Sequence, residues 1–132
     1  MKIALYGRDF NDSVLPFVQE VFDALTAHNI EIVVYQKFNN FLKHKVNLPE
    51  HYKTFTNNKD LVNKVDVLLS LGGDGTLLDT LSLVRDSEIP VIGINFGRLG
   101  FLASINKNEI KTAIAALVKG EYTLDRRGLL HV

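Results

Sequence analysis

The sequence has no cysteine, and its 132 residues include only three prolines and one methionine. Without cysteine, a disulfide scaffold and a cysteine-based zinc site are both excluded. No apolar stretch approaches the roughly 18 residues of a membrane-spanning helix. The short apolar run after Met1 ends at Gly7, too early for a secretory signal peptide. These absences predict a cytoplasmic protein with no membrane partner.

The sequence also has no excess of either charge. Its 15 Lys and Arg residues balance 15 Asp and Glu residues, which gives a formal net charge of zero. This balance removes the usual reason to expect nucleic-acid binding. The length suits one domain of the ordinary range of roughly 100–200 residues, large enough to bury a real core.

The hydrophobic pattern alternates between short apolar runs and segments with helical spacing. Apolar runs predict strands, and spacings of three and four residues predict helices. The predicted strands are 2–6, 30–35, 65–71 and 91–95, with a brief extended piece at 101–105; the predicted helices are 13–28, the segment after Leu77, and 108–119. This alternation is typical of an open, mostly parallel α/β sheet flanked by helices, a Rossmann-like fold.

Two stretches fall outside this alternation. Residues 36–60 are rich in Asn and charge, and we expect one or two helical turns around Phe38 to Leu42 followed by loop. The last residues predict a strand at 122–124, a turn at 125–128 and a second strand from residue 129, which is cut short where the sequence stops. We therefore expect an α/β domain over 1–120, with 121–132 as the start of a truncated, β-rich second domain.

Glycine is concentrated in one part of the sequence, since six of the nine glycines lie between Gly72 and Gly100. The first group follows the third predicted strand as Gly72-Gly73-Asp74-Gly75-Thr76 and precedes a helix. Glycines allow close approach of backbone to phosphate, and a helix N-terminus favours an anion. Neither a P-loop nor the Gly-x-Gly-x-x-Gly fingerprint is present, which argues against a dehydrogenase.

Asp74 is unexpected in a turn that suits phosphate, because its carboxylate repels phosphate. One explanation is a general base that takes a proton from an attacking hydroxyl, and another is a ligand for a Mg²⁺ that bridges phosphates. A third is purely structural, with Asp74 as the N-cap of the helix. The residues alone leave these three open.

A second glycine-rich segment, Asn95-Phe96-Gly97-Arg98-Leu99-Gly100-Phe101, follows the next predicted strand. It should emerge at the same edge of the sheet as Asp74, because parallel strands end at one edge. Phe101 suits stacking on a base and Arg98 suits a phosphate, whereas a plain connection with Phe96 and Phe101 in the core fits equally well.

Together these two motifs, Leu71 to Leu78 and Gly93 to Leu102, closely resemble those of the ATP-NAD kinase family, in its N-terminal domain. The first motif alone is shared with diacylglycerol, sphingosine and phosphofructo-kinases. The tail from Tyr122 to Leu130 also resembles the strands that open the family's second domain. The resemblance implies transfer of the ATP γ-phosphoryl group to the 2′-hydroxyl of the NAD adenosine ribose, with Mg²⁺ or another divalent cation.

The resemblance also implies roles for individual positions. Asp74 would be the catalytic base, and the substrate would be held by Asp74, Gly75, Leu78, Asn95, Gly97 and Phe101. The ATP phosphates would lie near Gly72, Gly73 and Thr76. Arg8 and Arg98 are further candidates for phosphate contact. The four histidines show no metal-ligand spacing, so no metal held by side chains alone is predicted.

Family members continue into a β-rich domain that carries an Asn-Glu pair, and nothing in this sequence matches it. Two alternatives therefore stay open at this point. One is another kinase with the same Gly-Gly-Asp-Gly-Thr turn, acting on a lipid or a sugar. The other is a fragment that binds ATP or NAD without turnover. A homo-oligomer is expected for the full-length protein.

Overall fold

The computed structural model describes residues 1–8, 10–84, 87–96, 105–124 and 130–131. Six strands form one sheet in which every neighbouring pair is parallel. They are β1 (Lys2–Gly7), β2 (Glu31–Tyr35), β3 (Lys53–Phe55), β4 (Val67–Gly72), β5 (Val91–Asn95) and β6 (Ile105–Asn106). The helices are α1 (Leu15–Ala27), α2 (Gln36–Leu42), α3 (Asp74–Val84) and α4 (Ile110–Val118). The predicted α/β class is confirmed.

The strand order in the sheet is β3-β2-β1-β4-β5-β6. This is the doubly wound order, in which the chain moves outward from β1 in one direction and then from β4 in the other. The point of reversal lies between β1 and β4, where the two connections leave in opposite directions. Ligands of such sheets bind in the crevice outside the carboxyl ends of those strands.

Both faces of the sheet are covered, so its central strands are buried on both sides. Helices α1 and α4 pack against one face through a core that includes Val18, Phe22 and Ile114. Helix α3 covers the other face through Leu77 and Val84. All five residues of β5 are buried, as expected for a parallel strand between two layers.

The segment 36–60 has more regular structure than the loop we expected. Helix α2 buries Phe38 and Leu42 on the α1 side, and β3 adds an edge strand whose Phe55 is 1% exposed. The Tyr52 hydroxyl donates a 2.6 Å hydrogen bond to Oδ1 of the buried Asn39, which ties the two pieces together. A three-residue strand is too short to give a periodic signal, so the sequence did not reveal β3.

Helix α4 ends in a regular capping motif, whereas the start of α1 lacks one. Gly120 has φ +80° after α4; its N–H donates to Leu117, and the N–H of Glu121 donates to Ala116. These two bonds form a Schellman motif, in which glycine is the usual residue at the position of Gly120. The start of α1 has no side-chain cap, since a 3₁₀ turn (Asp12–Val14) precedes it and Val14 is its N-cap.

The end of the described chain forms a separate antiparallel pair, β7 (Thr123–Leu124) with β8 (Leu130–His131). This agrees with the predicted strand, turn and strand, although the turn itself lies outside the described residues. The assignment of 121–132 to a second domain stays a prediction. Across the described ranges, no helix is both long enough and apolar enough to cross a membrane.

Candidate functional site

The two glycine-rich segments begin side by side at the carboxyl edge of the sheet. Gly72, the last residue of β4, is the register partner of Asn95, the last residue of β5. The Phe96 N–H donates a 3.2 Å hydrogen bond to the Gly72 carbonyl. On the other side of β4, Leu71 pairs with Gly7 at the end of β1. The segments after Gly7, Gly72 and Asn95 therefore leave the sheet at neighbouring points.

The turn after β4 requires glycine at its first position. Gly72 has φ +150°, and a Cβ added there would lie 2.6 Å from Thr76 Oγ1. Gly73 and Gly75 are different, because a Cβ at either would have no neighbour within 4 Å. Two of the three glycines thus leave open space above the turn, where backbone is accessible to a ligand.

Helix α3 starts at this turn. The Leu77 N–H donates to the Gly73 carbonyl at 3.0 Å, which is the first bond of the helix. Gly73 is therefore the N-cap and Asp74 the first helical residue, so the purely structural explanation of Asp74 as the N-cap is wrong. The N–H groups of the first helical turn have no partner within the helix and face the site with positive potential.

A buried polar contact fixes α3 to β4 behind the turn. Thr80 Oγ1 lies 2.8 Å from Ser70 Oγ and 2.9 Å from the Thr76 carbonyl, and the Thr80 side chain is fully buried. Ser70 and Thr76 are themselves only 2% and 8% exposed. The sequence carries a signal for this contact, because a hydroxyl within an apolar strand indicates a buried hydrogen bond.

Arg8 reaches the site from the end of β1. Its guanidinium forms an ion pair with Asp79, which lies on α3 one turn beyond the glycine segment. The Arg8 side chain remains 58% exposed, so the pair is held at the surface. Arg8 also lines the crevice beside Gly72 and Gly73. The structure therefore places an oriented cation next to the glycine turn.

The crevice has a volume of about 770 Å³ and is lined by the β1–α1 connection, the glycine turn and the end of β5. We call it the switch-point cleft. Phe96 and Phe10 form one wall, with their rings edge to face at 5.4 Å. Phe96 is 6% exposed and packs in the core, as the structural alternative for this residue predicted.

The structure describes only some of the other residues that the sequence suggested for the substrate site. Asn95 is 6% exposed and lines the cleft, whereas Leu78 lies on α3 with 57% of its surface exposed. Gly97, Arg98 and Phe101 lie outside the described residues, and of Asp74 only the backbone is described. In the described part of the chain, no cluster of three or more His, Cys, Asp or Glu could hold a metal ion.

Comparison with known proteins identifies the family. The ATP-NAD kinase N-terminal domain model matches residues 3–122. This chain belongs to the ATP-NAD kinase family. The match covers most of the chain and includes the strands and turns that build the switch-point cleft. The family assignment does not favour the lipid-kinase and sugar-kinase alternatives that the first motif alone left open.

Curated relatives and a solved structure agree with this assignment. The chain is 40% identical over 130 residues to the NAD kinase of Flavobacterium johnsoniae, covering 98% of this chain and 44% of that protein. It is 34% identical to the NAD kinase of Methanothermobacter thermautotrophicus over 134 residues, covering 100% of this chain and 44% of the relative. The crystal structure of yeast NADH kinase complexed with NADH shares the fold, with a TM-score of 0.78 at 21% identity, covering 92% of this chain and 39% of that one. The chain thus spans less than half the length of these relatives.

Proposed function

We propose that this chain forms the N-terminal part of an NAD kinase, which transfers the γ-phosphoryl group of ATP to the 2′-hydroxyl of the NAD adenosine ribose. The observation that carries the proposal is the register pair Gly72–Asn95. It joins the turn that suits phosphate to the second, more family-specific segment at the switch point of the sheet. Membership of the ATP-NAD kinase family supports the same activity.

The glycine turn supplies the phosphate side of the site. Gly73 and Gly75 leave space for close approach, and the first-turn N–H groups of α3 can donate to phosphate oxygens. With Gly72 and Thr76, these residues would hold the ATP phosphates. Arg8 would add a charge-assisted contact, and Arg98 is proposed for the same role from the sequence. Catalysis of this kind depends mainly on positioning and electrostatics.

Asp74 is proposed as the catalytic base that accepts the proton of the ribose 2′-hydroxyl. Its backbone position as the first residue of α3 puts it directly beside the phosphate turn. Gly75, Leu78, Asn95, Gly97 and Phe101 are proposed to hold the NAD adenosine. The exposed Leu78 supports this role, since a large apolar side chain at a site edge is available for a ligand to cover.

A divalent cation fits this site only in company with the phosphates. Mg²⁺ typically binds through one or two carboxylates together with substrate phosphates. The described residues offer no carboxylate cluster, so phosphate oxygens would supply most of its ligands. When bound, the cation would neutralise phosphate charge. The cation, a cytoplasmic location, the absence of nucleic-acid and membrane partners, and a homo-oligomer remain proposals.

The test is NADP formation from NAD and ATP by the protein translated from the complete reading frame, compared with its Asp74→Asn variant. We expect the variant to lose most activity while its affinity for NAD changes little, because the amide keeps the size of the side chain but cannot accept the proton. Asp23→Asn, at an exposed site on α1, is the control and should keep full activity. Equal rates for Asp74→Asn and the unmodified protein would rule out Asp74 as the base.

A substrate panel tests the reaction itself. Diacylglycerol and fructose 6-phosphate, offered with ATP, should not be phosphorylated. Assaying the 132-residue chain alone tests the second alternative, a unit that binds nucleotide without turnover. Failure of the complete protein to make NADP from NAD would contradict the proposed function.

A further inference from the structure

A second pocket lies next to the switch-point cleft, at the carboxyl ends of β1 and β2. Its volume is about 510 Å³, and it is lined by Tyr6, Gly7, Arg8, Tyr35 and Lys37. We call it the Tyr6–Tyr35 pocket. Arg8 lines both this pocket and the switch-point cleft, so the two spaces meet at its side chain. A ligand that extends past Arg8 can occupy both.

The wall of the pocket is aromatic and firmly supported. The rings of Tyr6 and Tyr35 pack at 4.8 Å between centroids with a tilt of 36°, and Tyr35 also packs on the buried Phe55 at 5.4 Å. Both tyrosines remain partly accessible. Two rings held in place beside an open space offer a stacking surface for a planar, aromatic group.

The polar groups of this pocket are available for a ligand. Among the residues that the structure describes, the hydroxyls of Tyr6 and Tyr35 and the ammonium group of Lys37 make no hydrogen bond or ion pair. Lys37 is exposed at the start of α2. An aromatic wall with one unpaired cation and with Arg8 at its border suits a base that carries an anionic phosphate chain.

The distance to the glycine turn also suits such a ligand. Tyr35 on β2 and Gly72 on β4 are separated by β1, so they lie two strand spacings apart, or about 10 Å. Arg8 follows the intervening strand. A ribose and a triphosphate chain can span that interval, leaving the base at one end and the terminal phosphate at the other.

We propose that the Tyr6–Tyr35 pocket binds the purine base of the phosphoryl donor, so that its phosphates run past Arg8 to the Gly72–Thr76 turn. This inference rests on the proposed function and adds to it a binding site for the base of ATP. The reaction needs two purine nucleotides at once. The proposed adenosine site of NAD involves Leu78 and Asp74 on α3, which leaves the pocket between β1 and β2 for the donor.

The test records backbone amide shifts of the isotope-labelled 132-residue chain as ATP, inorganic triphosphate and NAD are added separately. ATP should move the amides of Gly7, Tyr35 and Lys37 together with those of residues 73–76. Inorganic triphosphate should move mainly residues 73–76, and NAD should not move Tyr35 or Lys37. If NAD but not ATP moves Tyr35 and Lys37, the pocket belongs to the acceptor and the inference is wrong.

Two variants check the same point by affinity. Lys37→Gln should weaken ATP binding about three- to tenfold, because one charge-assisted contact with phosphate or ribose is lost. Lys111→Gln, at an exposed site on α4, is the matched control and should change nothing. Tyr35→Leu keeps apolar volume but removes the ring, and should weaken ATP about tenfold while leaving the affinity for inorganic triphosphate unchanged.

The outcomes separate this inference from the proposed function. If ATP moves only residues 73–76 and Lys37→Gln binds ATP normally, the base lies elsewhere and the inference fails, while phosphate binding at the turn stands. If the complete protein makes NADP and its KM for ATP is unaffected by Lys37→Gln and Tyr35→Leu, the inference again fails alone. If the complete protein makes no NADP, the proposed function fails whatever the pocket binds.

Discussion

Gly72 and Asn95 are register partners at the ends of β4 and β5, and the N–H of the following Phe96 donates to the Gly72 carbonyl. Because of this pairing, the two glycine-rich segments leave the carboxyl edge of the sheet at the same level. A shift of one residue in the register would reverse the face of every following side chain. The relative position of the two segments is therefore fixed by the sheet and does not depend on either loop.

The three glycines of the turn should respond differently to alanine. Gly72→Ala would place a Cβ 2.6 Å from Thr76 Oγ1 at φ +150°, so we expect a loss of roughly 1–3 kcal/mol in the free energy of unfolding. Gly75→Ala has open space within the first turn of α3 and should raise that free energy by up to about 1 kcal/mol. Urea denaturation measures both. Equal effects for the two variants would contradict the geometry of the turn.

The same substitutions separate stability from ligand binding. Gly73→Ala should lower the free energy of unfolding by about 1 kcal/mol or less, because alanine is a poorer N-cap than glycine even though its Cβ meets nothing within 4 Å. That Cβ would occupy the space from which phosphate approaches the turn, so the affinity for inorganic triphosphate should fall. Calorimetric titration measures this effect, and an unchanged affinity would show that phosphate does not approach over Gly73.

The ion pair between Arg8 and Asp79 should matter more for anion binding than for stability. Exposed pairs contribute about 1 kcal/mol or less, so Arg8→Gln and Asp79→Asn should each change the free energy of unfolding by no more than that. Arg8→Gln should weaken the binding of triphosphate, because a cation beside the turn is lost. Asp79→Asn should strengthen it, because the guanidinium no longer has an anionic partner. Identical effects of the two variants on affinity would contradict this assignment.

The buried hydrogen bond between Ser70 and Thr80 allows a test of how much stability is lost when a buried hydroxyl has no hydrogen-bond partner. Thr80→Val leaves the Ser70 hydroxyl without its partner in a buried site, and we expect a loss of roughly 1–3 kcal/mol. Adding Ser70→Ala should recover part of this loss, because both polar groups are then gone. A double-mutant cycle by urea denaturation measures the coupling. Simple additivity of the two changes would show that the hydroxyls do not interact.

The Asp60 carboxylate should make stability depend on acid pH. Backbone hydrogen bonds from Thr56 and then Asn57 hold the pKa of Asp60 below its usual value of 3.8. Since the pKa is lower in the folded state, the stabilisation is complete above about pH 5 and is lost as the pH falls through the folded pKa. The advantage of the unmodified chain over Asp60→Asn should therefore shrink below pH 4. Thr56→Val, which keeps both N–H donors, should retain most of the lowered pKa in an NMR titration.

Much of the fold follows from the sequence, because buried parallel strands and amphipathic helices carry strong periodic signals. Val67 to Leu71 and Val91 to Ile94 are almost wholly apolar, and the shared edge of the two glycine segments follows from parallel strands alone. The edge strand β3 could not be found, since its three residues include one buried side chain. Periodicity also does not give strand order, so the position of β1 beside β4 was not predicted.

The candidate site was only partly predictable for a related reason. Glycines and an acidic residue at the end of a strand are visible in the sequence, and they indicated residues 72–76. The ion pair of Arg8 with Asp79 and the packing of Tyr6 on Tyr35 depend on elements that meet only in the folded sheet. The spacing of these residues along the sequence gives no indication of either contact. The sequence indicated Arg8 only as a candidate for phosphate contact, whereas the structure places it between two pockets.

The order of the strands has a consequence for how the molecule folds. β1 lies next to β4, although α1, β2, α2 and β3 all separate these two central strands along the chain. Such non-local pairing slows folding relative to proteins with local contacts. The cleft therefore comes into existence only with the assembled sheet, and the unfolded chain has nothing equivalent to offer a nucleotide. A ligand of the cleft would act by mass action as a thermal stabiliser, and the shift in melting temperature would report its affinity without any turnover.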